Sequence, residues 1–176
     1  FPEATAYEMK AALLYTAADL GIAGEDNEYG RGIIDVVAAY SFLKQALIGD
    51  TKELSITSQQ QILIFSLQAG VANANRNYLM LGSVSGSVPG ITLPGGKVLP
   101  LNWDYYTNLT VIYSNTPFFQ NFNGMLNANG TAVATADFTR PPDSALIGLI
   151  ITYAFCTMPP PGFDFVSNAW DVEITI

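Results

Sequence analysis

Histidine is absent from all 176 residues, so any chemistry must proceed without the commonest general base and metal ligand. Other groups could still bind or react. The stretch GEDNEYG places Glu25, Asp26, Asn27 and Glu28 in succession, hard oxygen ligands of the kind calcium takes. Their spacing is not that of an EF-hand, and a solvated loop before a helix is the simpler account. Calcium is the one cofactor these residues suggest; otherwise none is expected. Trp103, Tyr105 and Tyr106 in LNWDYYTN could stack a sugar ring, although aromatics in β proteins more often pack in a core or along a strand edge. Asp19 and Asp35 could be read as paired carboxylates for acid–base work, but helix-end and loop contacts explain them more simply. The single cysteine, Cys156, excludes an internal disulfide; it lies in the apolar run ALIGLIITYAF and is expected to be a buried, inert thiol. Lys10, Lys44, Lys52 and Lys97 have no surroundings that suit a serine–lysine pair. No catalytic residue is assigned.

Composition narrows the functional classes. The net charge is -8, with 15 acidic and 7 basic residues, and no basic cluster exists to neutralise nucleic-acid phosphates. Charged residues make up 12% of the chain against about 25% in an ordinary soluble domain. They are also uneven: residues 1–53 hold nine Asp/Glu and four Lys/Arg, whereas residues 54–176 hold six and three. The second part owes its polarity to Asn, Ser, Thr and Gln, as extracellular β proteins often do. The longest apolar run suits a buried strand better than a membrane span. The chain has no recognisable signal peptide or initiating Met, and its start at Phe1 is expected to reflect processing, cloning or an incomplete reading of a longer precursor.

Periodicity divides the chain near residue 50. Residues 1–48 read as two helices. Thr5 and Glu8 form a capping-box pattern, Met9, Leu13, Leu14 and Ala17 follow at helical spacing, and Gly21 supplies a stop. After a polar loop, Ile33, Val36, Val37, Tyr40, Leu43 and Leu47 resume that spacing. The β-branched start is poor helix material. Residues 49–53 read as a linker. From Leu54 the period becomes two, and LSIT, QILIFSLQ, NYLMLGSV, LTVIYS, FNGMLN, TAVATADF, LIGLIITYAFCTM, FDFVSN and WDVEITI are expected strands. NANG signals a hairpin turn; SGSVPG, LPGG and MPPPG are loops. The expected fold is mostly β: an antiparallel β-sandwich over 54–176, preceded by a two-helix segment over 1–48.

FPEATAYEMKAALLYTAADLG followed by DNEYGRGIIDVVAAY resembles the closing segment of subtilisin-like serine peptidases (subtilases). The family's T-A-x-D-L-G stretch is matched by Thr16, Ala17, Ala18, Asp19, Leu20 and Gly21. Its Y-G-x-G-x-I/V-D stretch is matched by Tyr29, Gly30, Arg31, Gly32, Ile33, Ile34 and Asp35, and a closing helix follows. The match covers about a quarter of the chain. The family's catalytic Asp, His and Ser motifs lie upstream of this segment and have no counterpart here. The resemblance therefore implies the end of a peptidase domain without its catalysis.

A second stretch, YLMLGSVSGSVPGITLPGGKVLPLNWDYYT, with LNANGTAVA and YAFC…FVSNAWDVEI, resembles a C-terminal β-sandwich module of large secreted planctomycete-type bacterial proteins. That resemblance implies an accessory, extracellular or cell-surface role. In a bacterial protein the sequons at Asn108-Leu109-Thr110 and Asn129-Gly130-Thr131 are expected to be chance matches. Three readings stay open. The chain could be the noncatalytic C-terminal part of a secreted subtilase with an accessory sandwich. It could be an extracellular structural protein that self-associates or docks on a cell-surface structure. Or it could be a polysaccharide- or surface-binding module. Apolar faces bearing Leu13, Leu14, Val36 and Leu43 exceed what one helical pair can cover, and are expected to meet the remainder of a subtilase domain or another copy.

Overall fold

The computed structural model describes residues 6–21, 24–57, 62–139 and 143–176. The chain is mostly β and divides into two compact units, Phe1–Gln45 and Ala46–Ile176.

The first unit holds helices α1 (Ala6–Tyr15) and α2 (Val36–Phe42), both shorter than their apolar spacing suggests. Thr5 of the expected capping box lies outside the described residues. Glu8 sits in the first turn of α1 and is buried, where the helix dipole favours a carboxylate. Beyond Tyr15, the Thr16 hydroxyl donates to the Ala12 carbonyl (2.6 Å), satisfying one of the free carbonyls at the helix end. Ala18 and Ile33 then exchange both backbone hydrogen bonds, at 2.8 and 2.9 Å. The two segments that carry the subtilase-like motifs therefore lie side by side. A Cβ on Gly32 would come within 2.1 Å of the Ala18 carbonyl oxygen, so this contact requires glycine. Ile33 and Ile34 stay outside α2, in keeping with their β-branched side chains. Asp35 caps the helix, its carboxylate accepting the Ala38 amide at 2.8 Å. Ala11, Ala12, Ala39, Phe42 and Leu43 are buried, and the Tyr15 and Phe42 rings pack at 6.3 Å.

The second unit begins earlier than the pattern suggests. β1 (Leu47–Gly49) pairs with residues 65–67, and β2 (Glu53–Ser55) follows at once, so residues 49–53 are not a free linker. Leu47 and Ile48 are completely buried, which places them in the sandwich rather than at the end of a helix. The remaining elements are β3 (Ile62–Gln68), β4 (Asn77–Ser83), β5 (Ile91–Thr92), β6 (Val98–Leu99), α3 (Tyr105–Ile112), β7 (Phe119–Gln120), β8 (Asn123–Met125), β9 (Thr131–Asp137), β10 (Ile150–Thr157) and β11 (Trp170–Thr175). One sheet has the order β1-β3-β9-β7 and the other β2-β11-β10-β4-β8; β5 and β6 form a separate hairpin. All pairs are antiparallel except β2 with β11.

Leu63, Phe65 and Leu67 of β3 stand in register with Ala136, Ala134 and Ala132 of β9. Small residues on one strand thus make room for large ones on its neighbour. Phe65 reaches the other sheet, its ring 4.7 Å from that of Tyr153 and 6.5 Å from that of Phe122. The long apolar run is β10, buried at every position from Ile151 to Thr157. Tyr153 and Phe155 serve the core between the sheets. Ala154 and Cys156 pack on the other side with Leu81, Leu99 and Leu101, against Ile91, Leu93, Phe163 and Val166. A strand covered on both faces reads as continuous hydrophobicity rather than alternation.

Three local expectations change. LTVIYS is not a strand: Leu109–Ile112 complete α3. FDFVSN contributes one bridge, Val166 to Cys156, instead of a strand. NANG does turn the chain, with Gly130 at φ 74°, but β8 pairs with β4 and β9 with β3. The turn therefore passes the chain from one sheet to the other instead of closing a hairpin.

Residues 46–176 expressed alone are expected to fold, giving β-type circular dichroism and a cooperative melt; an unfolded product would show that the helical unit belongs to the same core. Phe65→Ala is expected to lower stability in urea by about 3–5 kcal/mol, the usual cost of emptying a buried aromatic site. An unchanged midpoint would remove Phe65 from the centre of the sandwich.

Candidate functional site

The densest polar cluster of the second unit surrounds Asp104. Its Oδ2 accepts from the Ser83 hydroxyl (2.9 Å), the Val84 amide (2.7 Å), the Ser85 amide (2.9 Å) and the Ser85 hydroxyl (2.8 Å). Its Oδ1 accepts the Thr107 amide at 2.9 Å, and the Thr107 hydroxyl in turn accepts the Asp104 amide at 3.2 Å. That is a reciprocal capping box, and it starts α3 in spite of the β-branched residues that follow. Burial works against the Asp104 charge. The hydrogen bonds from Thr107, Ser85, Ser83 and Val84 outweigh it and hold the carboxyl well below the usual carboxylate range.

Asn102 extends the cluster. Its Nδ2 donates to the Ser85 and Val88 carbonyls (2.7 and 2.8 Å), and its Oδ1 accepts the Gly90 amide (3.1 Å). Residues 84–104, with the β5–β6 hairpin, are thereby pinned at both ends to β4 and α3. Within the LGSVSG stretch of the module-like motif, Ser83, Val84 and Ser85 serve as donors to one carboxylate. Asp104 spends its acceptor positions on this task and has no geometry for acid–base catalysis.

α3 separates the three aromatic candidates. Trp103 and Tyr105 are 58% and 77% exposed, and the Trp103 indole donates to Asn108 Oδ1 at 3.1 Å. Tyr106 points the other way, and its hydroxyl shares a 2.8 Å hydrogen bond with that of Tyr153. It packs at 6.1 Å from Phe119 and 6.3 Å from Tyr153. Gly82 makes this possible, because a Cβ there would lie 2.6 Å from the Tyr106 ring. Burial pushes both phenols up from their ordinary value. Tyr106 is half-buried and turned toward Tyr153 and Phe119, so a three-ring platform does not form.

The acidic loop is occupied by its own backbone. Asp26 Oδ1 accepts the Glu28 and Tyr29 amides at 2.8 and 2.6 Å, and Glu25 pairs with Arg31 at 3.1 Å. Among the described residues, no three His, Cys, Asp or Glu side chains come together as metal ligands. Asp19 accepts the Gly24 amide at 2.8 Å, while Asp35 caps α2, so the two carboxylates have separate local tasks. Cys156 is buried, and that burial pushes its thiol up to about 11. Of the residues expected at an interface, Leu13, Leu14 and Val36 are exposed, whereas Leu43 is buried; its backbone keeps the helical turn, with its amide donating to the Ala39 carbonyl at 3.0 Å, so it shares the inward face of Ala39 and Phe42.

The sequence marks Tyr113 and Ser114 as the end of the expected strand LTVIYS and singles out no functional residue in Tyr113–Asn121. This segment follows α3 and lines a shallow, open depression of about 350 Å³ bounded by Asn115, Thr116, Pro117, Gln120 and Asn121. Tyr113 and Phe118 form an edge-to-face pair at 6.0 Å and remain 44% and 55% exposed. The available signal was YSNTPFFQNFN, in which amides and aromatics interleave without a charge.

Asp104 has a lowered folded-state pKa. Its contribution to stability is therefore fully present above the unfolded value near 3.8 and is lost as pH falls below it. Asp104→Asn is expected to cost at least about 2 kcal/mol at neutral pH and to flatten the acid side of the stability profile. An unchanged urea midpoint and acid profile would mean that the cluster holds nothing in place.

No protein-family model and no curated protein sequence matches the chain. Among solved structures, it is similar to the crystal structure of the Pseudomonas aeruginosa CupB2 chaperone at 8% sequence identity and a TM-score of 0.42. The match covers 73% of this chain and 54% of that one, so the chain spans about half the length of the chaperone it matches. At that level the likeness adds nothing to the reading of the site.

Proposed function

We propose that the chain is the noncatalytic C-terminal part of a secreted subtilisin-like peptidase, its helical unit completing the peptidase domain and its β unit serving as an accessory module. The carrying observation is the apolar surface of the helical unit. Ile33, Ile34, Val36, Val37 and Tyr40 fall within eight consecutive residues, and Val36 and Val37 are 72% and 76% exposed. Large apolar side chains exposed this close together in the chain point to a contact with another body. Each such side chain, once buried, contributes roughly 1.5–3 kcal/mol. The mutual pairing of Ala18 with Ile33 supports the same reading, since both subtilase-like motifs then belong to one local structure. Without a histidine the chain cannot build the family's triad.

The native polypeptide tests the proposal. Recovered with an antibody against residues 46–176, it is expected to carry a fluorophosphonate-reactive serine domain on the same or a tightly bound chain, while the purified 176-residue chain takes no label and cleaves no peptide. A native polypeptide with no such domain attached would overturn the reading.

The purified chain is also expected to associate through the apolar stripe when no peptidase domain is present. Light scattering should show that association, and Val36→Asp should abolish it, because an unpaired charge in a closed contact is costly. A monomeric wild type would show that the stripe drives no contact of its own.

A further inference from the structure

We infer that the depression bounded by Asn115, Thr116, Pro117, Gln120 and Asn121 is a binding site for an uncharged oligosaccharide. This concerns the β unit alone and stands whether or not the helical unit docks on a peptidase domain.

The first ground is the absence of charge. From Val98 to Thr139 the chain carries two charged residues, Asp104 and Asp137, alongside eight Asn and Gln. Both carboxylates are engaged, Asp104 by its cluster and Asp137 by the Thr139 amide at 2.7 Å. None of the described residues that bound the depression carries a charge to balance an anionic ligand, and the chain's net charge of -8 repels one. No carboxylate lines the depression to attract a cation.

The second ground is rigidity. Asn115 and Asn121 both have left-handed backbone, at φ 60° and 57°, and both are held there. The Asn115 amide donates to the Asn123 carbonyl (2.7 Å) and accepts the Asn123 amide (3.2 Å). Asn121 donates from Nδ2 to the Val133 carbonyl (3.1 Å), and its own carbonyl accepts the Tyr78 hydroxyl (2.8 Å). The walls are therefore set before any ligand arrives, so little ordering cost remains.

The third ground is chemical complementarity. The Gln120 side chain is exposed and makes no hydrogen bond among the described residues, leaving an amide donor and an amide acceptor for hydroxyl groups. Tyr113 and Phe118 are not among the residues that line the depression, but they lie on the same segment and are exposed, and aromatic surface there suits the apolar side of a sugar ring. A few polar groups beside aromatic surface describe a small-molecule site, and an uncharged lining selects polyols over ions.

Calorimetric titration of the full chain with oligosaccharides of glucose, mannose and N-acetylglucosamine tests this, with oligogalacturonate as the anionic comparison. At least one neutral oligosaccharide is expected to bind and oligogalacturonate is not. Gln120→Ala and Phe118→Ala should each weaken that binding about tenfold while leaving the urea midpoint near wild type, since both side chains are exposed. Trp103→Ala should leave it unchanged. Binding to none of the neutral probes, preference for oligogalacturonate, or a loss confined to Trp103→Ala would each overturn the assignment.

Discussion

A phenol buried between two sheets must find a partner for its hydroxyl, and much of the β unit follows from how Tyr153 does so. Its ring lies against Phe65 and Phe122, and its hydroxyl meets that of Tyr106. Leaving that oxygen unpaired would forfeit about 1–3 kcal/mol. Tyr106 can serve only if α3 starts where it does, which Asp104 secures through its capping box. The approach also needs Gly82, whose missing side chain leaves space for the Tyr106 ring. Asp104 needs Ser83, Val84 and Ser85 to balance its charge, and that requirement fixes the start of the 84–104 excursion. One buried hydroxyl thus links the core, a helix, a loop and the surface that α3 presents.

The same unit closes its sheet edges with amides instead of charges. Asn168 accepts the Leu47 amide through Oδ1 and donates to the Leu47 carbonyl through Nδ2, both at 3.0 Å, so it occupies the outer edge of β1 as a strand would. Asn115 does the same for Asn123 on the edge strand β8. Exposed strand edges invite pairing with other chains, and many proteins discourage it with lysine. A nearly uncharged domain cannot rely on that, and side-chain amides can saturate the backbone groups directly. The late Ser-Asn pair of the module-like motif is explained in these terms. The Ser167 hydroxyl accepts the Phe155 amide at 2.9 Å, and Asn168 caps β1.

Alternation and turn residues made the β class and most strands legible. The core strands β3, β4, β10 and β11 fall within the segments that their apolar residues marked. What stayed hidden depended on single polar contacts between distant residues. Leu109–Ile112 look like a strand until Asp104 and Thr107 are known to cap one another. Tyr106 looks like a neighbour of Trp103 and Tyr105 until α3 turns it inward. Residues 49–53 look like a linker because β1 and β2 are too short to display a period. The depression at 115–121 depends on two left-handed asparagines, and no periodic pattern announces those.

Those two asparagines also show why amides suit this surface better than acids or bases. A carboxylate at position 115 could accept the Asn123 amide but could not donate to its carbonyl, and a lysine could donate but not accept. Only an amide offers both groups in the geometry of a peptide bond. The clamp on Asn115 and the clamp on Asn168 therefore depend on neither pH nor ionic strength, in contrast to the Arg76–Asp164 pair, which salt screens and acid breaks. Locks of this kind hold the backbone while leaving it electrically neutral. A surface built from them can be rigid without repelling or attracting ions.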